Sequence, residues 1–341
     1  MALPRPARCR RCRAAAGDDP VTATRLSFLL LALFVPVALL SLLVGEVPVA
    51  ALLHDPELAR MLFTELRLPR LILSAAAGAA LGISGAALQG LLRNPLASPD
   101  ILGTSAGSAL GAVVTGYFLG FSGTIAMAGG GIAGALIALV LLLLLAGRGA
   151  SSTTLILAGV AISALGGAMM NLALALAASP FAFYDMMFWL LGSFADRSVE
   201  HVGVGLPAMF AGSALVLSAA RGLDALALGE DVAATLGHDV RAMRWRIVGG
   251  SAVAVGGAVA VAGIIGFVGL IVPHLVRPLV RNRPGPALLP SAIAGAALLV
   301  AADIVTRFPL NGKTLPIGVV TAMLGAPFFL WLILSRRGGQ A

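Results

Sequence analysis

Charge is what this chain has least of. Only 11% of its 341 residues are charged, 59% are hydrophobic, and the mean hydropathy is +0.99. Soluble domains carry about a quarter charged residues, so this composition leaves too few polar side chains to cover a surface facing water. Period-2 alternation is also missing, which disfavours a β-barrel. Cysteine is nearly absent: Cys9 and Cys12 stand in "RCRRCR" with no second pair and no nearby histidine. A single such pair is weak support for zinc or redox chemistry, and the segment reads as a basic cytoplasmic tail.

Catalytic and energy-coupling signatures are lacking as well. No GxxxxGK[ST] phosphate loop occurs. No HExxH or paired-aspartate set points to an intramembrane enzyme. Acidic residues within apolar runs are almost absent, Asp185 and Asp303 being the nearest. An ion-coupled secondary transporter normally needs such groups; it remains the rival class.

What is present is a succession of apolar runs of about 20 residues, the length that spans a bilayer as a helix. The expected spans are 24–44, 57–92, 102–119, 124–146, 153–178, 201–220, 243–262, 270–281, 287–306 and 317–335. The fold class is therefore all-α, a polytopic membrane protein of about ten transmembrane helices. Residues 1–23 form a basic cytoplasmic tail, 24–336 the membrane domain and 337–341 a short C-terminal tail. The first helix lacks a persuasive cleavage site and is expected to stay as an anchor. "PFAFYDMMFWLLGSF" (180–194) is too brief and polar for a span and reads as a re-entrant or interfacial helix, with Tyr184 and Trp189 as belt aromatics.

The net charge of +8 would suggest nucleic acid in a soluble protein; here it encodes topology, and no nucleic-acid partner is expected. With the N-terminus inside and ten alternating helices, seventeen of the 23 basic residues fall inside and six outside. The outer six are Arg60, Arg67, Arg70, Arg197, Arg307 and Lys313. The positive-inside rule favours this orientation, with both termini cytoplasmic. Two segments, "GAALGISGAALQGLLRNPL" and "GAVAVAGIIGFVGLIVPHL", align with Gly85 over Gly263 and Pro95 over Pro273, and are candidates for an inverted repeat.

The longest polar interruption is "RGLDALALGEDVAATLGHDVRAMRWR" (221–246), placed in the cytoplasm. Its apolar residues recur at helical spacing and Gly229 and Gly237 break the run, predicting two short amphipathic helices. Such a unit must lie on lipid or dock on another protein. Asp224, Glu230, Asp231 and Asp239 argue against an anionic leaflet and for a protein partner.

Five separated motifs resemble one family. They are "RLPRLILSAAAGAALGISGAALQGLLRNPLASPDILGTSAG", "LGEDVAATLGHDV", "GFVGLIVPHLVR", "ADIVTR" and "LPIGVVTAMLGAPFFLWL". Over about residues 25–336 the chain resembles the FecCD-type permeases of ABC importers, which take up iron–siderophore, haem or vitamin B12. The resemblance implies the type II importer permease fold in the bacterial cytoplasmic (inner) membrane. It also implies a second permease copy or close paralogue, two ATPase subunits that use ATP and Mg, and an extracytoplasmic substrate-binding protein. This chain would be a transport subunit and no enzyme, with no cofactor or metal of its own. Ferric siderophore is the expected cargo, with haem and cobalamin open.

The resemblance further assigns roles to matching residues. Leu228, Gly229, Glu230, Ala233, Leu236 and Gly237 correspond to the coupling helices that seat in the ATPase. Arg67, Arg70 and Arg307 correspond to arginines that dock acidic residues of the binding protein, a task suited to the guanidinium fork. The bland alternatives are snorkelling anchors and, for Arg307, an i,i+4 pair with Asp303. Gly318 and Gly325 on the last helix and Asn171 on the fifth are path candidates, and Gln89 is a polar residue within the second helix that no turn explains. His274, beside Pro273 read as a helix start, is taken as structural.

Overall fold

The computed structural model describes residues 23–45, 56–147, 151–309 and 312–337. The basic tail with Cys9 and Cys12, most of the 45–56 linker, Arg148 and the last four residues lie outside them.

Apolar runs become helices because a backbone in lipid must satisfy its own hydrogen bonds. Thirteen helices result among the described residues: α1 Ala23–Leu43, α2 Pro56–Leu91, α3 Thr104–Val113, α4 Thr124–Ala146, α5 Ser152–Ala175, α6 Pro180–Leu191, α7 Val199–Leu217, α8 Ala220–Ala227, α9 Glu230–Thr235, α10 Val240–Ala262, α11 Val268–Leu279, α12 Pro284–Thr306 and α13 Ile317–Arg337. Seven are long and apolar enough to cross a membrane: α1, α2, α4, α5, α7, α10 and α12. All ten expected segments are helical, but two are shorter than a full crossing. The 102–119 segment divides into a 3-10 turn (Pro99–Leu102), α3 and a π turn (Val114–Phe118), while α11 is a shorter apolar helix. At 1.5 Å per residue the twelve residues of α11 extend about 18 Å, well under a hydrocarbon core of about 30 Å.

Helix α2 is the axis of the bundle, buried along most of Leu73–Leu91 and packed on α12, α10, α7 and α11. Small residues permit this. A Cβ on Gly78 would fall on the Gly295 carbonyl of α12, and one on Gly295 on the Gly78 carbonyl. Without a solvophobic drive between helices in lipid, such backbone-to-backbone approach supplies the packing.

The chain breaks between α10 and α11, where Gly263 and Phe267 have positive φ (74° and 67°). The freed backbone groups are taken up by the end of α6. Ile264 N–H donates to the Trp189 carbonyl at 3.0 Å, Ser193 N–H to Ala262 at 2.7 Å, and Ile317 N–H to Gly192 at 3.1 Å. Irregular backbone is thus satisfied by other irregular backbone inside the protein.

Two local expectations are corrected. Pro273 does not start a helix: α11 begins at Val268 and Pro273 lies inside it, so His274 packs within the helix, edge-on to Phe328 at 5.8 Å. The two aligned segments do not share a local structure. Gly85 is mid-helix in α2 whereas Gly263 ends α10, and Pro95 follows its helix whereas Pro273 is internal.

Candidate functional site

At one end of the bundle the C-termini of α1 and α12 meet the first part of α2. That part is not α-helical throughout: Leu62–Arg67 form a π turn, and Leu68 N–H bonds to Phe63, five residues back. The cause lies in "RLPR". A proline ring clashes with the carbonyl four residues earlier, here Glu65, and a wider turn at that point relieves the clash. The extra residue sets the positions of Arg67 and Arg70.

Arg70 and Arg307 converge on one carboxylate, and Arg67 is held beside them. Arg70 Nε donates to both Asp303 oxygens (3.0 and 2.9 Å) and its Nη2 to Thr306 Oγ1 at 3.1 Å. Arg307 Nη2 and Nε donate to Asp303 Oδ2 at 2.6 and 3.2 Å. Its Nη1 donates to the carbonyls of Ser41 and Val44, and its Nη2 to Ser41 Oγ. Arg67 Nη1 donates to the Leu42 carbonyl at 2.8 Å, with its guanidinium 5.1 Å from the Phe63 ring centre. Asp303 is fully buried and Arg307 only 8% exposed. The i,i+4 pair weighed for Arg307 is therefore present, and Arg307 also staples the end of α1 to that of α12. Its position at the C-terminus of α12 suits the negative end of the helix dipole.

Above this knot lies a cavity of about 300 Å³ lined by Arg67, Arg70, Arg197, Arg307 and Asp196 among others. Four guanidinium groups there face two aspartates, counting Asp303 beneath, so the rim keeps excess positive charge. A neighbouring cavity of about 560 Å³ shares Ser193, Asp196, Arg197 and Thr314, and adds Tyr117, Asp185, Trp189 and His201. Arg197 stacks on Trp189 at 5.6 Å and its Nη1 lies 3.1 Å from His201 Nε2. Burial pulls the Arg197 guanidinium below its ordinary value, and Asp196 partly restores it. Sequence reasoning counted Arg197 among the outer cations but did not single it out; its place between the cavities depends on the fold of the 192–198 loop.

The 221–246 segment folds as two short helices, α8 and α9, leading into α10. Gly229 joins α8 to α9 with a φ of 131°. At the end of α9, His238 N–H bonds to the Ala233 carbonyl and Gly237 N–H to Ala234, with Gly237 at φ 83°. That is the Schellman stop, which favours glycine because a side chain resists the left-handed conformation. Asp239 then caps α10, accepting the Ala242 N–H at 2.9 Å.

One side of this unit is fastened to the bundle. Leu223, Leu226 and Ala233 are buried, and Asp224 accepts from Arg283 Nη2 (2.9 Å) and Gly285 N–H (3.0 Å) at the start of α12. Arg93 donates to the Leu226 carbonyl, and Glu230 pairs with Arg244 at 3.1 Å. The other side is bare: Leu228 is 68% exposed, Leu236 60%, and Val232 is exposed between them. Of the six residues expected in this unit, Ala233 seats α9 on the bundle, Gly229 and Gly237 shape it, and Leu228 and Leu236 project outward.

The path candidates do not come together. Gln89 is fully buried, its Nε2 3.5 Å from the Leu270 carbonyl and its Oε1 without a hydrogen bond among the described residues. Gly318 abuts the Leu191 carbonyl and Gly325 the Phe267 ring, both as close-packing positions. Asn171 is exposed on α5.

Known proteins share this architecture. Residues 28–335 match the FecCD transport family. The chain is 41% identical to the vitamin B12 import system permease protein BtuC of Vibrio cholerae, covering 92% of this chain and 95% of that one. Identity to the Fe(3+) dicitrate transport system permease protein FecD of Escherichia coli is 38%, over 88% and 95% of the two chains. Among solved structures it resembles a metal-chelate type ABC transporter in an inward-facing conformation, with a TM-score of 0.82 and 32% identity over 92% of this chain and 99% of that one.

Proposed function

We propose, on the premise that this chain belongs to the FecCD transport family, that it is the permease of an ATP-driven importer and that its cargo is a corrinoid of the vitamin B12 type. The observation that carries the proposal is the pairing of an arginine-rimmed cavity at one end with an apolar, outward-facing helical turn at the other. Each end suits a different partner. An extracytoplasmic binding protein would set acidic side chains over Arg67, Arg70 and Arg307. Two ATPase subunits would receive Leu228 and Leu236, one permease chain for each. A second permease copy or close paralogue completes the path, with Asn171 on α5 facing it.

In such an assembly ATP and Mg belong to the ATPase pair. Its closure shifts α8 and α9, and these bias the permease between outward- and inward-facing states. Gly318 and Gly325 act by letting helices approach closely, and Gln89 is a buried polar group among packed helices. The distribution of basic residues supports a bacterial cytoplasmic membrane protein with both termini inside.

For cargo, the relatives of Vibrio cholerae and Halobacterium salinarum named for vitamin B12 or cobalamin are 41% and 39% identical. The FecD relative supports a second cargo, a ferric chelate, the class to which the expected siderophore belongs. Uptake into proteoliposomes holding this chain with its cognate ATPase and binding protein separates these. ATP-dependent accumulation of labelled cobalamin, undiminished by excess ferric chelate, is the expected result. Accumulation of ferric chelate alone would overturn the cargo, and accumulation of neither would overturn the permease function.

A further inference from the structure

A third concavity, of about 530 Å³, lies beside the coupling unit, between the C-terminal turns of α4, the first turns of α5 and the start of α10. We infer that it is a binding site for an anionic phospholipid. Leu143, Leu144 and Val248 form apolar walls, and Arg241, Arg244 and Trp245 stand at the rim. No acidic residue lines it.

Three features select this ligand class. Arg241 has no acidic partner among the described residues, and Arg244 lies one turn further along the same face of α10, so two guanidinium forks can seat one phosphate. The walls continue onto α4 as side chains with no protein cover, Leu144 being 72% exposed, which suits an acyl chain. Trp245, 47% exposed beside the arginines, is the residue type that settles at the headgroup level. A free anion would use the rim and leave the walls bare, and a neutral lipid would use the walls and leave the arginines uncompensated. Basic pockets between helices at a membrane boundary serve anionic headgroups elsewhere.

The site also touches the coupling unit. Arg244 pairs with Glu230, the first residue of α9, at 3.1 Å. A phosphate on Arg244 shares that guanidinium with Glu230, which places the lipid one ion pair from the turn carrying Leu236. The inference rests on the membrane spans alone, so a failure of transport leaves it standing.

The test is lipid retention by the purified full chain in detergent, read by native mass spectrometry, with phosphatidylglycerol, phosphatidylcholine and inorganic phosphate as probes. Phosphatidylglycerol should be retained, phosphatidylcholine washed away, and millimolar phosphate should not displace the lipid. Arg241→Gln should weaken retention about fivefold. Leu144→Glu, outside the packed core, should weaken it at least as much by setting a carboxylate where the acyl chain lies. Arg221→Gln, an exposed arginine on α8 outside the groove, should retain lipid as the parent does. Equal retention of the two lipids, displacement by phosphate, parent-like retention in Arg241→Gln and Leu144→Glu, or equal loss in Arg221→Gln would each overturn the site.

Discussion

The two ends of this molecule handle their polar and apolar groups in opposite ways. Around Asp303, three arginines are drawn inward, with Arg307 bonded to Asp303, Ser41 and Val44. Around Gly229, apolar side chains are pushed outward, with Leu228 and Leu236 exposed although Leu223 and Leu226 beside them are buried. The arginine end is cross-linked by charges that already have partners, and it can offer a visitor only the charge left over. The coupling end is fixed at its back by Asp224, Arg283 and Arg93 and is unfinished at its front. On the proposed function, this contrast lets one face receive a partner loosely while the other transmits force.

The contrast can be broken most severely at Asp303. Asp303→Asn leaves the buried Arg307 guanidinium without its carboxylate, and removing one partner of a buried pair costs about 3–5 kcal/mol. A large fall in the thermal unfolding midpoint in detergent is expected; an unchanged midpoint would mean that the knot contributes little. Leu236→Glu works at the opposite end. At an exposed position it should change stability by no more than about 0.5 kcal/mol, yet it puts a charge where an apolar contact is needed. Association with the ATPase should weaken by about 2–3 kcal/mol, a factor of roughly 30 to 150, measured by co-purification against ATPase concentration.

Two smaller changes sharpen the comparison. Arg70→Gln keeps the Arg307–Asp303 pair but lowers the charge at the cavity rim. It should raise the Kd for the binding protein roughly tenfold, about 1.4 kcal/mol, with most of the change in the association rate at low salt. Gly237→Ala forces a side chain into the left-handed turn that ends α9, at a cost of about 1 kcal/mol. A slight drop in the unfolding midpoint and in ATPase coupling is expected, and Gly237→Asn should lose less of both.

Much of this was legible in the sequence, for physical reasons that differ from part to part. The helices follow from apolar runs, because lipid leaves the backbone no alternative. The stop and restart at α9 and α10 were marked by "LGHDV", where glycine and aspartate act within a few residues of themselves. Arg307 beside Asp303 is a four-residue relation and was weighed as such. Arg70 on the same carboxylate spans 233 positions, and no local pattern announces a contact that depends on α2 lying along α12. The π turn before Pro69 and the break at Gly263–Phe267 were missed as well. The π turn follows from the proline clash with the Glu65 carbonyl, a local relation the apolar pattern does not show, whereas the break is satisfied by the end of α6, a partner seen only once the helices are packed. The aligned pair of segments predicted equivalent Gly and Pro positions, which differ because the second copy breaks at Gly263 where the first continues as helix.

The central claim is that the two ends serve two separate partners, and binding-protein-stimulated ATP hydrolysis in proteoliposomes tests it most directly. Compare the parent chain with Arg70→Gln and Leu236→Glu, at matched amounts of permease. Stimulation should fall in both, with the ATPase still assembled in Arg70→Gln and lost in Leu236→Glu. Full stimulation with normal ATPase assembly in Leu236→Glu would contradict the account.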